Sequence, residues 1–101
     1  MIEQRIKELQ IKLPKPMNTA QLPFKLARMD GNLLYLSGHV PTQNDGSISN
    51  VRGKVGETVS LEQAEQCASD IALGMLASIK AELGDLDCVT GWLRVFGMVN
   101  T

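Results

Sequence analysis

Three consecutive residues carry most of the chemistry this sequence offers. Ser37, Gly38 and His39 close the apolar run GNLLYLSGHVP, residues 31–41. A hydroxyl donates, accepts or attacks, a glycine lets a ligand approach the main chain, and an imidazole changes charge near neutral pH. His39 is also the only histidine in the chain. Ser37 and His39 stand two apart, so in a strand they project to one face, as a nucleophile and its base would. No acidic residue nearby in sequence completes a triad, so a nucleophilic serine is not expected. The plain alternatives are a strand-end hydroxyl that satisfies a neighbouring backbone group and a solvated or partner-facing imidazole. The remaining candidates are weaker. Cys67 and Cys88 lack a Cys-x-x-Cys spacing, and with one histidine they leave too few soft ligands for zinc. Both read as reduced, small hydrophobes. Gly46, Gly53 and Gly56 match neither phosphate-loop nor dinucleotide spacing. Arg94 lies between Trp92 and Phe96, where its stem covers aromatic neighbours better than it clamps a carboxylate. Arg28 and Arg52 read as surface.

The elements that must position this triplet follow from periodicity. Ile2, Ile6 and Leu9 recur at spacings of four and three, which predicts a short amphipathic helix within residues 1–12. Residues 13–23 hold three prolines and read as an extended connector. Two strands follow, split by Asp30-Gly31, a hairpin signal that calls for positive φ at both central residues. The second arm, Leu33 to Ser37, is apolar on both faces, as suits a strand covered on each side. Residues 42–58 are rich in Gly, Asn, Ser and Asp and predict a long loop, with a short strand near Ile48 or Lys54. Ser60 and Gln63 form a capping box, and Ala64, Cys67, Ala68, Ile71, Met75, Ile79 and Leu83 then mark one helical face up to Gly84. Burying that stripe would contribute on the order of 10 kcal/mol. Finally, Leu93, Val95 and Val99 alternate with Trp92, Arg94, Phe96 and Met98, which is strand periodicity. A ββαβ order results, the first part of a split α+β fold whose sheet breaks off before it is complete.

The bulk properties narrow the function classes. At 101 residues one domain is expected, 1–101, and no second core. A formal charge of −1 gives no field that would draw nucleic acid or anionic lipid. The apolar runs are far shorter than the roughly 20 residues of a membrane span. With no targeting segment visible at the charged start MIEQRIKELQ, the cytoplasm is the default compartment.

Taken together, LPKP after a short helix, GNLLYLSGHVP, GKVGETVSLEQAEQCA, IKAELGDLD and VFGMVN resemble, in order and spacing, the RidA (YjgF) group, labelled in older usage endoribonuclease L-PSP. The resemblance is greatest to a longer branch with an extra N-terminal helix, and it covers nearly the whole chain. It implies a chorismate-mutase-like α+β subunit, a homotrimer, and a small-molecule cleft between subunits. It also implies hydrolysis of reactive enamines and imines to 2-oxo acids and ammonia, without metal or organic cofactor. In that chemistry an arginine clamps the substrate carboxylate through its planar fork. Carried over residue by residue, Ser37 falls on the pocket serine, with Gly38 leaving the main chain approachable. Phe24 stands where the deaminase branch usually has tyrosine, which keeps a ring wall without the hydroxyl. His39 stands where many members have glutamine. The group's arginine and glutamate fall on no residue of this sequence and are expected beyond residue 101, so the domain is expected to be incomplete at its C-terminus. The resemblance therefore suggests an enamine or imine deaminase, or alternatively a trimeric module that binds small carboxylates without turnover. RNA cleavage, which the older label suggests, finds no basic or aromatic surface here.

Overall fold

The computed structural model describes residues 1–17, 19 and 22–101. The predicted connector, 13–23, includes Asn18, Ala20 and Gln21, which lie outside the described residues. In chain order the elements are α1 (Ile2–Glu8), β1 (Ala27–Asp30), β2 (Leu33–Leu36), α2 (Leu61–Leu83) and a single 3-10 turn (Leu86–Cys88). The protein is thus a small α+β fold with one two-stranded antiparallel sheet.

Helix α1 is shorter than its apolar spacing predicts, and its end explains why. Gln10 adopts φ +56. Its amide donates to Lys7 O at 3.1 Å and the Ile11 amide donates to Ile6 O at 3.0 Å. This pair of bonds closes a helix C-terminus in the manner usually reserved for glycine. The helix is then docked by reciprocal capping. The Glu3 amide donates to Asp87 Oδ1 at 3.0 Å, and the Leu86 amide donates to Glu3 Oε2 at 3.0 Å, so each acidic side chain satisfies the other element's orphan donor. Lys80 Nζ adds a bond to Glu3 Oε1 at 3.1 Å from the last turn of α2.

Strands β1 and β2 pair in register Ala27↔Leu36 to Asp30↔Leu33, and the Ser37 amide extends the ladder to Leu26 O at 3.0 Å. This register moves the predicted turn by one residue. The central pair is Gly31-Asn32, not Asp30-Gly31, and of the two only Gly31 has positive φ, at +60. A glycine alone in that first position fits a type II′ turn, which matches the twist of the strands as well as the expected type I′. The ladder decides because Asp30 and Leu33 pair on the same side of the hairpin as the rest of the register. The outer face, with Leu33 and Tyr35, is exposed, so the expectation of cover on both faces of β2 is not met within this chain.

In α2 the capping box forms as the sequence predicts, with Gln63 N to Ser60 Oγ at 3.1 Å and Ser60 N to Gln63 Oε1 at 2.9 Å. Its burial is uneven. Ala77, Ser78 and Ile79 are buried, whereas Ala64, Cys67, Ile71 and Met75 are only partly covered and Ala68 is exposed. The expected full burial of the stripe is therefore corrected: it is confined to the last third of the helix, where β1 and the 3-10 turn meet it. The core is correspondingly compact: Leu26, Ala27, Val59, Ala77, Ile79 (2 % exposed) and Leu86 (0 %).

Residues 42–58 form a loop held by isolated bridges, Thr42 with Ile48 and Val55 with Val59, and the short strand expected there does not develop. Gly46 sits at φ +87, and a Cβ there would lie 2.8 Å from Pro16 O, so the loop tip is tucked against the proline-bearing connector. Among the described residues, the predicted last strand is absent as well. Residues 89–101 carry no ladder; the Val89 amide bonds back to Leu86 O at 3.1 Å, and near the far end the Asn100 carbonyl accepts from Val55 N at 2.9 Å and its Nδ2 donates to Gly53 O at 3.1 Å. The ββαβ expectation thus reduces to ββα. An alternating sequence supplies a strand's side chains, but a strand exists only where another backbone accepts its hydrogen bonds.

Candidate functional site

The ladder carries Ser37 to the open end of β2, and its hydroxyl turns back on the hairpin. Ser37 Oγ lies 2.9 Å from Lys25 O and 3.1 Å from Leu26 O. Both partners are carbonyls, so the hydroxyl hydrogen is committed to the main chain and only its lone pairs face outward. A serine held this way is a poor nucleophile and a competent acceptor. Phe24 immediately precedes Lys25 and is about half exposed, and its ring lines neither of the hollows described below. Gly38 is exposed, and a Cβ built there meets no atom within 4 Å. The main chain at Gly38 is open to approach, and within this chain no steric demand reserves the position for glycine.

His39 is not the solvated or partner-facing ring that sequence suggests. Its Nδ1 lies 2.8 Å from Ser37 O and its Nε2 lies 2.9 Å from Ser78 Oγ on α2. A carbonyl can only accept, so Nδ1 must carry the proton. In the neutral ring, Nε2 then accepts a hydrogen bond that the Ser78 hydroxyl donates. The imidazole thereby fastens the loop after β2 to the buried part of the long helix. Ser78 was not singled out from sequence, although a signal was present. It falls three residues after Met75 and seven after Ile71, on the apolar stripe, where a lone hydroxyl needs a partner.

Two hollows lie elsewhere on the surface, and Ser37, Gly38 and His39 line neither. One, about 300 Å³, lies between the connector, the start of β1 and the last third of α2, and is lined by Met17, Lys25, Leu26, Ser78 and Glu82 among others. Ser78 lines it directly and Ser37 adjoins it through its bonds to Lys25 O and Leu26 O, while Lys25 gives it a cation and Glu82 a carboxylate. The other, about 580 Å³, is lined by Asn44, Asp45, Ser49, Gln66 and Asp70 among others. The Ser47 hydroxyl, donating at 2.6 Å, and the Ser47 amide hold the Asp45 carboxyl below its usual range, so this hollow is anionic. An anionic ligand is repelled there, whereas beside Lys25 and Glu82 the opposite charges offset each other and Lys25 is the one lining group that can pair with a carboxylate. Sequence reasoning passed over Lys25, which reads as an ordinary exposed strand residue. Its relevance comes from sitting across the connector. Among the described residues no three His, Cys, Asp or Glu side chains converge as a metal site, and no helix is long and apolar enough to cross a membrane.

An α+β hairpin-and-helix unit with a serine-tipped strand beside a cation-bearing hollow is the class these features define. No protein-family model and no curated protein matches the chain. Among solved structures it is similar to the protein Atu1372 from Agrobacterium tumefaciens, of unknown function. The identity is 40 % and the TM-score 0.66, over 84 % of this chain and 50 % of that one. The chain thus spans about half the length of the structure it matches.

Proposed function

We propose that this protein belongs to the RidA group and binds a small 2-imino or 2-oxo acid, with enamine or imine hydrolysis as the group's reaction. The observation that carries the proposal is the strand end itself. Ser37 presents acceptor lone pairs beside an open Gly38 main chain and bonds to Lys25 and Leu26, which line a hollow where Lys25, opposed by Glu82, is the group that suits a carboxylate. Phe24, half exposed one residue before Lys25, would wall the ligand only in a cleft shared with neighbouring copies in a trimer. Turnover needs more: a water must be oriented toward the imine carbon and a proton delivered to the leaving ammonia. His39 is already occupied by Ser37 O and Ser78 Oγ, and the carboxylate and arginine roles that the group implies fall on none of these residues.

Those vacancies favour a second reading for the chain by itself, a carboxylate-binding module without turnover. The two are separated by one experiment. The protein is incubated with a threonine dehydratase and threonine, and loss of the imine is followed against buffer. Acceleration supports the deaminase. Its absence, with 2-oxobutyrate still binding and that binding weakened by Lys25→Met, supports the module. Neither acceleration nor binding by a folded protein rejects both.

A further inference from the structure

We infer that Ser78 is a nucleophile with His39 as its general base, and that the hollow Ser78 lines takes a small ester for hydrolysis. This goes beyond the proposed function and does not rest on it.

The first support is the order of the hydrogen bonds. A serine nucleophile needs an imidazole nitrogen about 2.6 to 3.2 Å from its oxygen, and an acceptor on the other ring nitrogen to hold the ring in the right tautomer. Ser78 Oγ lies 2.9 Å from His39 Nε2, and His39 Nδ1 lies 2.8 Å from Ser37 O. The Ser37 carbonyl can only accept, so it fixes the proton on Nδ1 and leaves Nε2 free to take one. It fills the place that a carboxylate holds in the usual triad, so no acidic neighbour in sequence is required. The two bonds that withdraw His39 from imine chemistry are those that arm a serine.

The second is the direction of the hydroxyl. A serine inside a helix commonly turns its hydroxyl to the carbonyl four residues back. Among the described residues, Ser78 Oγ bonds to His39 and not to the Gly74 carbonyl. Its proton is aimed at a base, whereas the Ser37 proton is spent on carbonyls.

The third is access. Ser78 is only 5 % exposed, yet it lines the hollow of about 300 Å³. Ala27 and Ala81 line it too, and their short side chains keep the space narrow but unfilled. A hollow of that size is at the lower end for ligand sites, which calls for a short acyl group. Lys25 is the lining cation that can face negative charge as it develops on the acyl oxygen.

The step balances with water alone. Ser78 Oγ attacks the acyl carbon while His39 Nε2 takes the hydroxyl proton, and the carbonyl electron pair moves onto oxygen. The adduct collapses, the bond to the leaving oxygen breaks, and that oxygen receives the proton from Nε2. Water, giving its proton to Nε2, then attacks the Ser78 ester, and Oγ leaves with that proton. An ester and water become an acid and an alcohol.

The test uses two probes. A small fluorophosphonate phosphonylates an activated serine as fluoride departs, and p-nitrophenyl acetate reports turnover through nitrophenolate. Peptide mass mapping of the whole chain locates any adduct. The expected result is an adduct on Ser78 and hydrolysis above buffer, both abolished by Ser78→Ala. His39→Gln keeps an amide oxygen to accept from the Ser78 hydroxyl but offers no base. It should slow labelling and turnover by about 100-fold or more with the circular dichroism unchanged. The inference is overturned if the folded protein takes no label at Ser78 from either probe, or if adducts form only elsewhere, as on the exposed Cys88. Labelling of His39→Gln as fast as the unaltered chain would overturn it as well. Binding of 2-oxobutyrate is read in its own assay, so either reading can fail without the other.

Discussion

Residues 27–36 and residues 92–99 both carry large apolar side chains at alternating positions, yet among the described residues one is a paired hairpin and the other is not paired at all. The hairpin brings its partner with it, two residues away across Gly31-Asn32, and α2 lies close enough to bury Leu26 and Ala27. Among the described residues the later segment has neither a neighbouring strand nor a covering layer. The difference teaches that strand character is a relation between two backbones, and that local pattern decides it only where the partner is also local.

The contrast is open to test from both ends. The largest effect should come from the packed side. Ile79→Ala or Leu86→Ala is expected to destabilise by about 2 to 5 kcal/mol, since each leaves a cavity in the smallest and tightest part of the core. Leu93→Ala in the same chain should change stability by no more than about 0.5 kcal/mol. Comparable losses in urea denaturation at both places would erase the distinction drawn here. Next in size is Ser78→Ala. It removes the hydroxyl that donates to His39 Nε2 and should cost about 1 kcal/mol. Nitrogen NMR of the imidazole would show Nε2 losing its donor while Nδ1 stays protonated. A ring already in the other tautomer would contradict the assignment.

Smaller effects concern how α1 is held against the packed side. Gln10→Gly should stabilise by about 1 kcal/mol, because glycine enters the left-handed region without the clash that glutamine meets at φ +56. Destabilisation in thermal melts would mean that the helix end is not closed as described. The last prediction is of pH dependence. The Leu86 amide first, then the Lys80 ammonium, hold the Glu3 carboxyl below its ordinary value. Its folded pKa is thus lower than its unfolded one, about 4.3. The contribution to stability is fully present above that unfolded value and is lost as pH falls through the depressed folded value. Glu3→Gln should flatten the stability profile in that acid window and leave it unaltered near neutrality in shape. An unchanged acid limb would exclude the Glu3 clasp as its source.

Much of the local structure was legible. The Ser60 and Gln63 box, the reach of α2 to Gly84 and the existence of the hairpin all follow from bonds between residues a few positions apart, so their signals are contained in short windows. The site was legible only in part. Ser37 and Gly38 stand at the strand end where the run GNLLYLSGHVP puts them. The partner of His39 is 39 residues away, and the carboxylate that caps α1 is 84 residues from the amide it receives, distances at which no short pattern speaks. Lys25 gained its interest solely from what lies across the hollow. The burial of the α2 stripe was overestimated for the same reason: seven apolar positions on one face state a demand for cover, not its supply.

By itself, then, the sequence determined where α2 begins and stops, which residues could line a strand and that no strong charge field surrounds the protein. The tertiary structure alone decided which apolar faces are covered, which strand pattern becomes a strand, and that the single imidazole is an acceptor fastened to a buried serine. The physical reason is range. Caps, turns and periodicity are satisfied by neighbours in the chain, whereas burial and ladder hydrogen bonds need surfaces that only folding brings together.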